Sequence, residues 1–318
     1  MKKYESLKKV DLHCHLEGSL NPVKVSKWTR KPIGEVEEAL ILDRAGELEH
    51  HKACGAYANS LLQTKTRLKE ATIELCKDLK NDGVIYAEIR LDPAAHLEKG
   101  MTLKEVIEAA LEGIDASSLK AKLILMIRRD YSFETNKEIV DLAKKYSKKG
   151  VCAVDLGGPE SACTIKALKE LLTYVITSGV PFVAHAGETG DFKGIDAVVN
   201  MGAYRVGHGI KAITSFETME KLKKLQIPLE VCLTANMATG LYRRYSEHPV
   251  QRLIDSGVSV TINTDNRTIN KTTLTDEYNL LNKYFGLTIK DFNAMNKIAI
   301  EHAFLSDKEK KDLLSEII

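Results

Sequence analysis

Two histidines close to the start of the sequence have the spacing of metal ligands. His13 and His15 lie two residues apart in the β-rich segment 9–15. Side chains on a strand alternate between its two faces, so both imidazoles are expected on the same face. Neutral imidazole nitrogens suit zinc. Two of nine histidines can fall two apart by chance, so a metal site needs further partners.

Candidate partners lie at the ends of three later β-rich segments. They are His185 in the motif HAGE, His208 in GHG and Asp265 in NTDN. In an α/β barrel the carboxyl ends of all strands share one rim, where active sites are built. Residues more than two hundred apart in sequence can therefore meet there. We expect a metal site at this rim, with zinc as the first choice and Co, Fe or Mn as alternatives.

Two further features refine the expected chemistry. Glu188 follows His185 by three residues, and a carboxyl group in a partly apolar pocket can have a pKa high enough to deliver a proton near neutral pH. Two-metal barrel hydrolases often use a bridging lysine on the fourth strand. The corresponding segment 151–158, VCAVDLGG, has no lysine, so we expect one metal ion per chain. From its position after His185, we expect Glu188 to be a catalytic residue.

The elements that must position these residues follow a regular alternation. Short β-rich runs recur with amphipathic helical patterns between most of them. Eight such units at this length predict a (β/α)8 TIM barrel and not an open doubly wound sheet. The eight predicted strands are 9–15, 84–91, 122–128, 151–157, 180–187, 205–209, 228–233 and 258–265.

The helical patterns complete the expected domain. Segment 21–65 is helical in pattern without a clear strand, so we expect an extra helical excursion after strand 1, with a lid in its longer loop. No linker divides the chain, and residues 1–318 are expected to form a single metal-dependent barrel domain. The other predicted helices are 68–81, 103–116, 137–148, 165–178, 216–225, 249–256, 288–304 and 307–318.

Composition excludes several classes of protein. The 318 residues carry 46 Lys+Arg against 44 Asp+Glu, a net charge of +2, so no strong basic field points to nucleic acid or an anionic membrane. No segment approaches the roughly 18 uninterrupted apolar residues of a membrane span. Six scattered cysteines without a CxxC pair indicate a reducing compartment, and we expect a cytoplasmic protein.

Other charged groups are given structural roles. Glu88 and Arg90 share a face of the second predicted strand, and we expect a structural ion pair inside the barrel because buried charges need partners. Five histidines are expected at surface or structural positions. They are His50, His51, His96, His248 and His302.

The motifs together resemble those of the adenosine deaminase family, in matching order and over nearly the whole chain. The combination is far more specific than any single motif. The matching stretches are VDLHCHLEGS at 10–19, VIYAEIR at 84–90, HAGE at 185–188, GHG at 207–209, PLEVC at 228–232 and NTDN at 263–266.

The resemblance implies a zinc barrel that hydrolyses adenosine to inosine and ammonia. Carried over residue by residue, the zinc ligands would be His13, His15, His185 and Asp265. The metal would lower the pKa of a bound water and supply hydroxide to C6 of the purine. In the catalytic roles, Glu188 would donate a proton to N1, and His208 would orient the hydroxide.

The resemblance also implies three substrate-binding residues. Gly158 would offer its backbone N–H to purine N3, and a glycine allows close approach to a flat ligand. Asn266 stands where the family often has an aspartate, and its amide can donate to N7 at every pH. Glu17 stands at a ribose-facing position that is usually aspartate. Its longer side chain also occurs in adenine deaminases.

The sequence is also compatible with alternative functions. The predicted lid segment 48–63 is small and polar where bulky apolar residues are expected, so with Glu17 it leaves adenine or another 6-aminopurine nucleoside as alternative substrates. A third hypothesis is that the protein is a catalytically inactive relative that binds nucleosides. AMP is not expected, because no basic cluster accompanies the motifs. The HxE…PCxxC deaminase class is excluded, because no PCxxC occurs.

Overall fold

Eight parallel β-strands, each paired with the next strand along the chain, form one sheet in the order β1 to β8. The computed structural model describes residues 3–43 and 46–317. The sheet curves into a nearly closed barrel with helices around it, which confirms the predicted (β/α)8 TIM barrel. The strands are β1 Lys9–His15, β2 Val84–Leu91, β3 Lys120–Arg128, β4 Val151–Gly157, β5 Phe182–Ala186, β6 Val206–His208, β7 Leu229–Val231 and β8 Val260–Ile262.

β1 and the segment that follows β8 meet at an isolated bridge between Cys14 and Asp265. The Asp265 N–H donates to the His13 carbonyl at 2.7 Å, and the His15 N–H donates to the Asp265 carbonyl at 2.9 Å. This seam therefore closes at the carboxyl end of β1, where the predicted metal ligands lie.

Four strands end earlier than predicted: the predicted strand 180–187 ends at Ala186, the predicted strand 228–233 ends at Val231, and the other two end at or before a residue with a positive φ. The predicted strand 205–209 ends at His208, which has φ 61°, and the predicted strand 258–265 ends at Ile262, before Asp265 with φ 60°. A positive φ is incompatible with an extended strand. Asp265 is therefore positioned by a left-handed turn and not by the alternation of strand faces.

The helices fill the connections between the strands. The predicted helix 165–178 begins only at Lys169. Three helices were not predicted, α8 Phe192–Asn200, α10 Leu233–Ala238 and α12 Leu274–Phe285. Three helices, α1 to α3, precede α4 between β1 and β2. The helices are α1 Pro22–Thr29, α2 Ile33–Leu40, α3 Leu48–Leu61, α4 Lys65–Asn81, α5 Leu103–Asp115, α6 Phe133–Tyr146, α7 Lys169–Ser178, α8 Phe192–Asn200, α9 Phe216–Leu225, α10 Leu233–Ala238, α11 Val250–Asp255, α12 Leu274–Phe285, α13 Ile289–Glu301 and α14 Asp307–Leu314.

Within the part of the chain that the structure describes, no helix combines the length and apolar character needed to cross a membrane. All six cysteines are free thiols. Most of the apolar core lies between the outer face of the strands and the surrounding helices.

The inside of the barrel carries charges. Glu88 and Arg90 are both fully buried, but the expected ion pair between them is not formed. Glu88 accepts from Arg205, whereas Arg90 pairs with Asp155 at 2.6 Å and with Glu230 at 2.5 Å. Side chains two apart on one strand project in parallel, so each reaches a partner on another strand across the barrel axis.

Candidate active site

Four imidazoles meet at the carboxyl-terminal rim of the barrel. His13 and His15 come from β1, His185 from β5 and His208 from the end of β6. The His13 ring centroid lies 4.6 Å from that of His185, 5.0 Å from that of His208 and 5.2 Å from that of His15. Residues that are far apart in sequence thus share one small volume.

Asp265 completes this cluster. Its Oδ1 lies 3.3 Å from His15 Nε2 and 3.8 Å from His13 Nε2, and the two histidine nitrogens are 3.3 Å apart. Two overlapping sets of ligand atoms lie close enough to share an ion, one of His13, His15 and Asp265 and the other of His13, His185 and His208. Two different sets of imidazoles therefore satisfy the distances needed to share one ion.

Carboxylates behind the cluster determine which ring nitrogens face inward. His13 Nδ1 lies 2.9 Å from Glu230 Oε2, and His185 Nδ1 lies 3.0 Å from Asp155 Oδ2. A carboxylate accepts hydrogen bonds, so both rings donate through Nδ1 and turn Nε2 towards the cluster. Burial lowers the pKa of His13 well below its usual value, which keeps that ring neutral.

A metal cation fits this donor set. Ring nitrogens and a carboxylate oxygen lie close enough together to share one cation. Imidazole and carboxylate donors, with the His13 and His185 rings each oriented by a carboxylate behind them, are the arrangement typical of protein zinc sites.

Arg90 connects the two carboxylates that orient the rings. Its guanidinium bonds Asp155 and Glu230 and also donates to the Leu12 carbonyl at 2.5 Å. Burial opposes ionisation of Asp155, but His185 and Arg90 outweigh it and hold the pKa of Asp155 well below its usual range. One cation thus holds both orienting carboxylates in place.

Replacing Arg90 with methionine should weaken metal binding as well as the fold. The change leaves two buried carboxylates without their shared cation, so we expect a loss of about 3–5 kcal/mol in the free energy of unfolding. Because those carboxylates orient His13 and His185, metal affinity should fall roughly 10–100-fold. Chemical denaturation and competition with a metal chelator measure the two effects.

Arg205→Met is the matched control. Arg205 is equally buried and bonds Glu230 at 2.6 Å, but its other carboxylate partner is Glu88, which orients no imidazole of the cluster. It should therefore lose stability with a smaller loss of metal affinity. Equal affinity losses in the two variants would contradict a special role for Arg90.

Glu188 lies beside the cluster with its carboxyl group close to His208. Its Oε2 is 3.6 Å from His208 Nε2. Burial raises the pKa of Glu188 to about 7 and lowers the pKa of His208 to about 4. The pair is therefore a carboxyl group able to release a proton near neutral pH next to a neutral imidazole.

Glu160 holds the loop that carries Glu188. Its carboxylate accepts from the backbone N–H groups of Gly187, Glu188, Thr189 and Gly190 at 2.8–3.0 Å. Burial opposes its ionisation, but these N–H groups lower the pKa of Glu160 below its usual value. Four donors on one carboxylate fix the backbone of the loop and so limit the positions that the Glu188 side chain can reach.

Two residues of the same rim have strained backbones. His208 and Asp265 both have left-handed backbone conformations, with φ 61° and 60°. Such a conformation costs about 1–3 kcal/mol for a residue with a side chain and persists where the surrounding structure enforces it, often at functional sites. The two turns direct both side chains towards His13.

The three predicted substrate-binding residues lie at the ends of β1, β4 and β8. Gly158 has φ 79°, and a Cβ there would come within 2.9 Å of Asp130 Oδ1, so the position requires glycine. Asn266 Nδ2 donates to Asp265 Oδ1 at 2.8 Å. Glu17 Oε1 accepts a hydrogen bond from the Asp92 backbone N–H at 2.8 Å and lies 3.1 Å from His96 Nε2.

Several contributors to the site did not emerge from the sequence. His51, expected at the surface or in a structural role, is half-buried on α3 and interacts electrostatically with Glu188. His248 is buried and lies 3.2 Å from Asn236, and Asn236 in turn contacts Glu188 and His208. The HP dipeptide at 248–249 and the asparagine after β7 were the available signals, and neither forms a motif by itself.

Comparisons with known proteins identify relatives that match nearly the whole chain. The family model described as adenosine deaminase matches residues 8–318. An adenosine deaminase from Clostridium botulinum is 34% identical, covering 98% of this chain and 97% of that protein. An adenosine deaminase from Haemophilus ducreyi is 35% identical, covering 97% of this chain and 95% of its own.

Solved structures share the fold. The N6-mAMP deaminase of Arabidopsis superposes with a TM-score of 0.88 at 25% identity, covering 100% of this chain and 99% of that one. An adenine deaminase from Arthrobacter aurescens superposes with a TM-score of 0.87 at 23% identity, covering 98% of each chain; at that identity the likeness shows the fold alone. By its sequence over nearly its whole length, the chain belongs to the adenosine deaminase family of metal-dependent hydrolases.

Proposed function

We propose that this protein hydrolyses adenosine to inosine and ammonia, and 2′-deoxyadenosine to the corresponding deoxynucleoside. One observation carries the proposal. A carboxyl group with a pKa raised to about 7, that of Glu188, lies 3.6 Å from His208, beside a cluster of imidazole and carboxylate donors that fits a metal ion. An acid and a metal site side by side are what hydrolysis of an amidine C–N bond requires.

We assign the metal to zinc, one ion per chain, held by His13, His15, His185 and Asp265. When bound, zinc lowers the pKa of a coordinated water so that hydroxide is available at neutral pH. The orientation of His13 by Glu230 and of His185 by Asp155 supports these ligands.

The catalytic residues act on the two ends of the reacting amidine. Glu188 donates a proton to purine N1, which breaks ring aromaticity and makes C6 electrophilic. His208 orients the attacking water towards C6 and stabilises the charge that develops on its oxygen. The C6–N bond then breaks as the proton of the new C6 hydroxyl group passes to the amino nitrogen, so ammonia leaves and C6 becomes a carbonyl.

The substrate-binding residues would recognise the rest of the nucleoside. Gly158 offers its backbone N–H to N3, and Asn266 offers an amide N–H to N7. Asn266 Nδ2 has two hydrogens and gives one to Asp265, so the second is available for the purine. Glu17 would accept from a ribose hydroxyl.

We expect a small-molecule substrate without a phosphate, and neither nucleic acid nor a membrane as a partner. Two arginines lie near the rim, and each already bonds other groups of the protein. Arg128 forms two hydrogen bonds to Asp130, and Arg129 donates to backbone carbonyls, among them that of His185 at 2.6 Å. We place the protein in the cytoplasm as a single deaminase domain over residues 1–318.

Adenine, or another 6-aminopurine nucleoside, is the second candidate substrate. Glu17 Oε1 already takes the Asp92 N–H and faces His96, which leaves this carboxylate with less capacity for a ribose hydroxyl. The same catalytic groups would act on a free base, because the reacting C6 and N1 are identical.

A substrate panel tests the proposal. Zinc-loaded protein is incubated with adenosine, 2′-deoxyadenosine and adenine while the loss of 6-aminopurine absorbance is followed. We expect both nucleosides to be deaminated, with kcat/KM at least about tenfold higher than for adenine, because the ribose contributes binding. Turnover of adenine alone would overturn the nucleoside assignment, and no turnover with zinc bound would indicate a binding protein.

A further inference from the structure

Asn236 joins the two proposed catalytic residues. It is fully buried on α10, the short helix after β7. Its Nδ2 lies 3.1 Å from Glu188 Oε1 and 3.1 Å from His208 Nδ1. A single amide group therefore contacts both residues on the side away from the His13 cluster.

The orientation of this amide follows from its other neighbour. His248 Nδ1 accepts from the Val250 backbone N–H at 3.2 Å, so His248 Nδ1 carries no proton. Burial lowers the pKa of His248 to about 3, so the ring is neutral and its proton is on Nε2. His248 Nε2 must then donate to Asn236 Oδ1, 3.2 Å away. The amide oxygen faces His248, and the NH₂ group faces the catalytic pair.

This orientation determines the protonation of both catalytic side chains. The two hydrogens of the NH₂ group go to Glu188 Oε1 and His208 Nδ1, which must both be acceptors. A neutral His208 then has its proton on Nε2, the nitrogen that faces the cluster. The proton of a neutral Glu188 is directed to Oε2.

We propose that Asn236 is a positioning residue that sets the Nε2–H tautomer of His208 and the proton-bearing oxygen of Glu188. This inference rests on the proposed deaminase function and adds a residue to it. A protonated Nε2 cannot bind a metal, so the same hydrogen bond excludes His208 from the ligand set and leaves it to donate to the attacking water. Of the two candidate ligand sets, Asn236 thereby disfavours the one containing His208.

Asn236→Asp tests this role with little change in shape. The substitution replaces the NH₂ donor by an acceptor, so His208 should move its proton to Nδ1, and the new carboxylate faces Glu188. We expect kcat for adenosine to fall roughly 10²–10⁴-fold, as for a catalytic histidine held in the wrong tautomer, with KM changed less than about threefold. Zinc content should be unchanged.

Asn296→Asp is the matched control. Asn296 is also a buried asparagine in a helix, and it bonds Val10 N and Tyr278 instead of site residues. It should lose stability to a similar degree while its kcat stays near that of the unaltered protein. A comparable loss of kcat in both variants would overturn the positioning role.

The tautomer is measured directly, without turnover. Zinc-loaded protein labelled with ¹⁵N-histidine gives ring-nitrogen NMR signals that distinguish the two tautomers, and His208→Asn identifies the His208 signals by their loss. We expect Nε2–H in the unaltered protein and in Asn296→Asp, and Nδ1–H in Asn236→Asp. An Nδ1–H tautomer in the unaltered protein would overturn the inference even if Asn236→Asp does not fold.

The two proposals fail in different ways. An unaltered protein inactive on all three purines refutes the proposed function, whereas the NMR signals still report on Asn236. An active protein whose His208 tautomer does not respond to Asn236→Asp refutes the role of Asn236 alone.

Discussion

Replacing Glu188 with glutamine should lower kcat for adenosine by about 10²–10⁴-fold while the zinc content stays the same. Glutamine keeps the shape of the side chain but has no acidic proton to give to N1, and positioned general acids contribute about this factor. Steady-state kinetics and elemental analysis of the purified variant measure the two quantities. A near-normal rate would remove Glu188 from the proton-donor role.

The stability of the same variant checks that it is folded and that the carboxyl group is perturbed. In the metal-free protein the pKa of Glu188 is raised from 4.5 to about 7, so the folded state holds the proton more tightly than the unfolded state. Stability is therefore lost as pH rises from 4.5 to 7. Since the side chain is 21% exposed, we expect Glu188→Gln to be more stable by roughly 1–3 kcal/mol at pH 8 and by much less at pH 5.

Loss of the metal should abolish activity and lower stability together. Chelation removes the source of hydroxide and leaves the Nε2 atoms of His13 and His15, 3.3 Å apart, without a cation between them. Turnover should fall to background and return on adding zinc. At a free zinc concentration about a thousand times the dissociation constant, binding adds about 4 kcal/mol to the free energy of unfolding, which thermal unfolding with and without chelator detects.

Asp265→Ala should reproduce this loss without a chelator. It removes the one carboxylate of the proposed ligand set, so zinc should bind more weakly and added zinc should fail to restore full activity. His50→Ala is the matched control, because His50 is a partly exposed histidine on α3 whose described ion-pair contact is with Glu47. Full zinc content in Asp265→Ala would show that another residue holds the ion.

Local sequence signals were sufficient for the strands and the cluster. The period-2 pattern of β1 places His13 and His15 on one face, and the rule that barrel strand ends share a rim brings His185, His208 and Asp265 to the same place. The strand ends were less predictable. The left-handed turns at His208 and Asp265 occur at residues that have side chains, and no glycine at those positions signals them.

Contacts made across the barrel could not be predicted. Arg90 was expected to pair with Glu88, its neighbour two residues away, but the two side chains project in parallel, and Arg90 reaches Asp155 and Glu230 on other strands. Asn236 lies on a six-residue helix, too short for a helical period to be seen. Its role depends on His248, which is 12 residues away in sequence and belongs to no motif.

The seam between β1 and β8 has a consequence for biosynthesis. The proposed ligands lie on both sides of it, and the hydrogen bond from Thr264 Oγ1 to Asp11 Oδ2, 2.6 Å long, joins residues 253 apart in sequence. A ribosome therefore completes the three imidazoles well before it adds Asp265. Full metal capture waits until translation is nearly finished, so a chain truncated before Asp265 would lack the ligand that couples the ion to barrel closure.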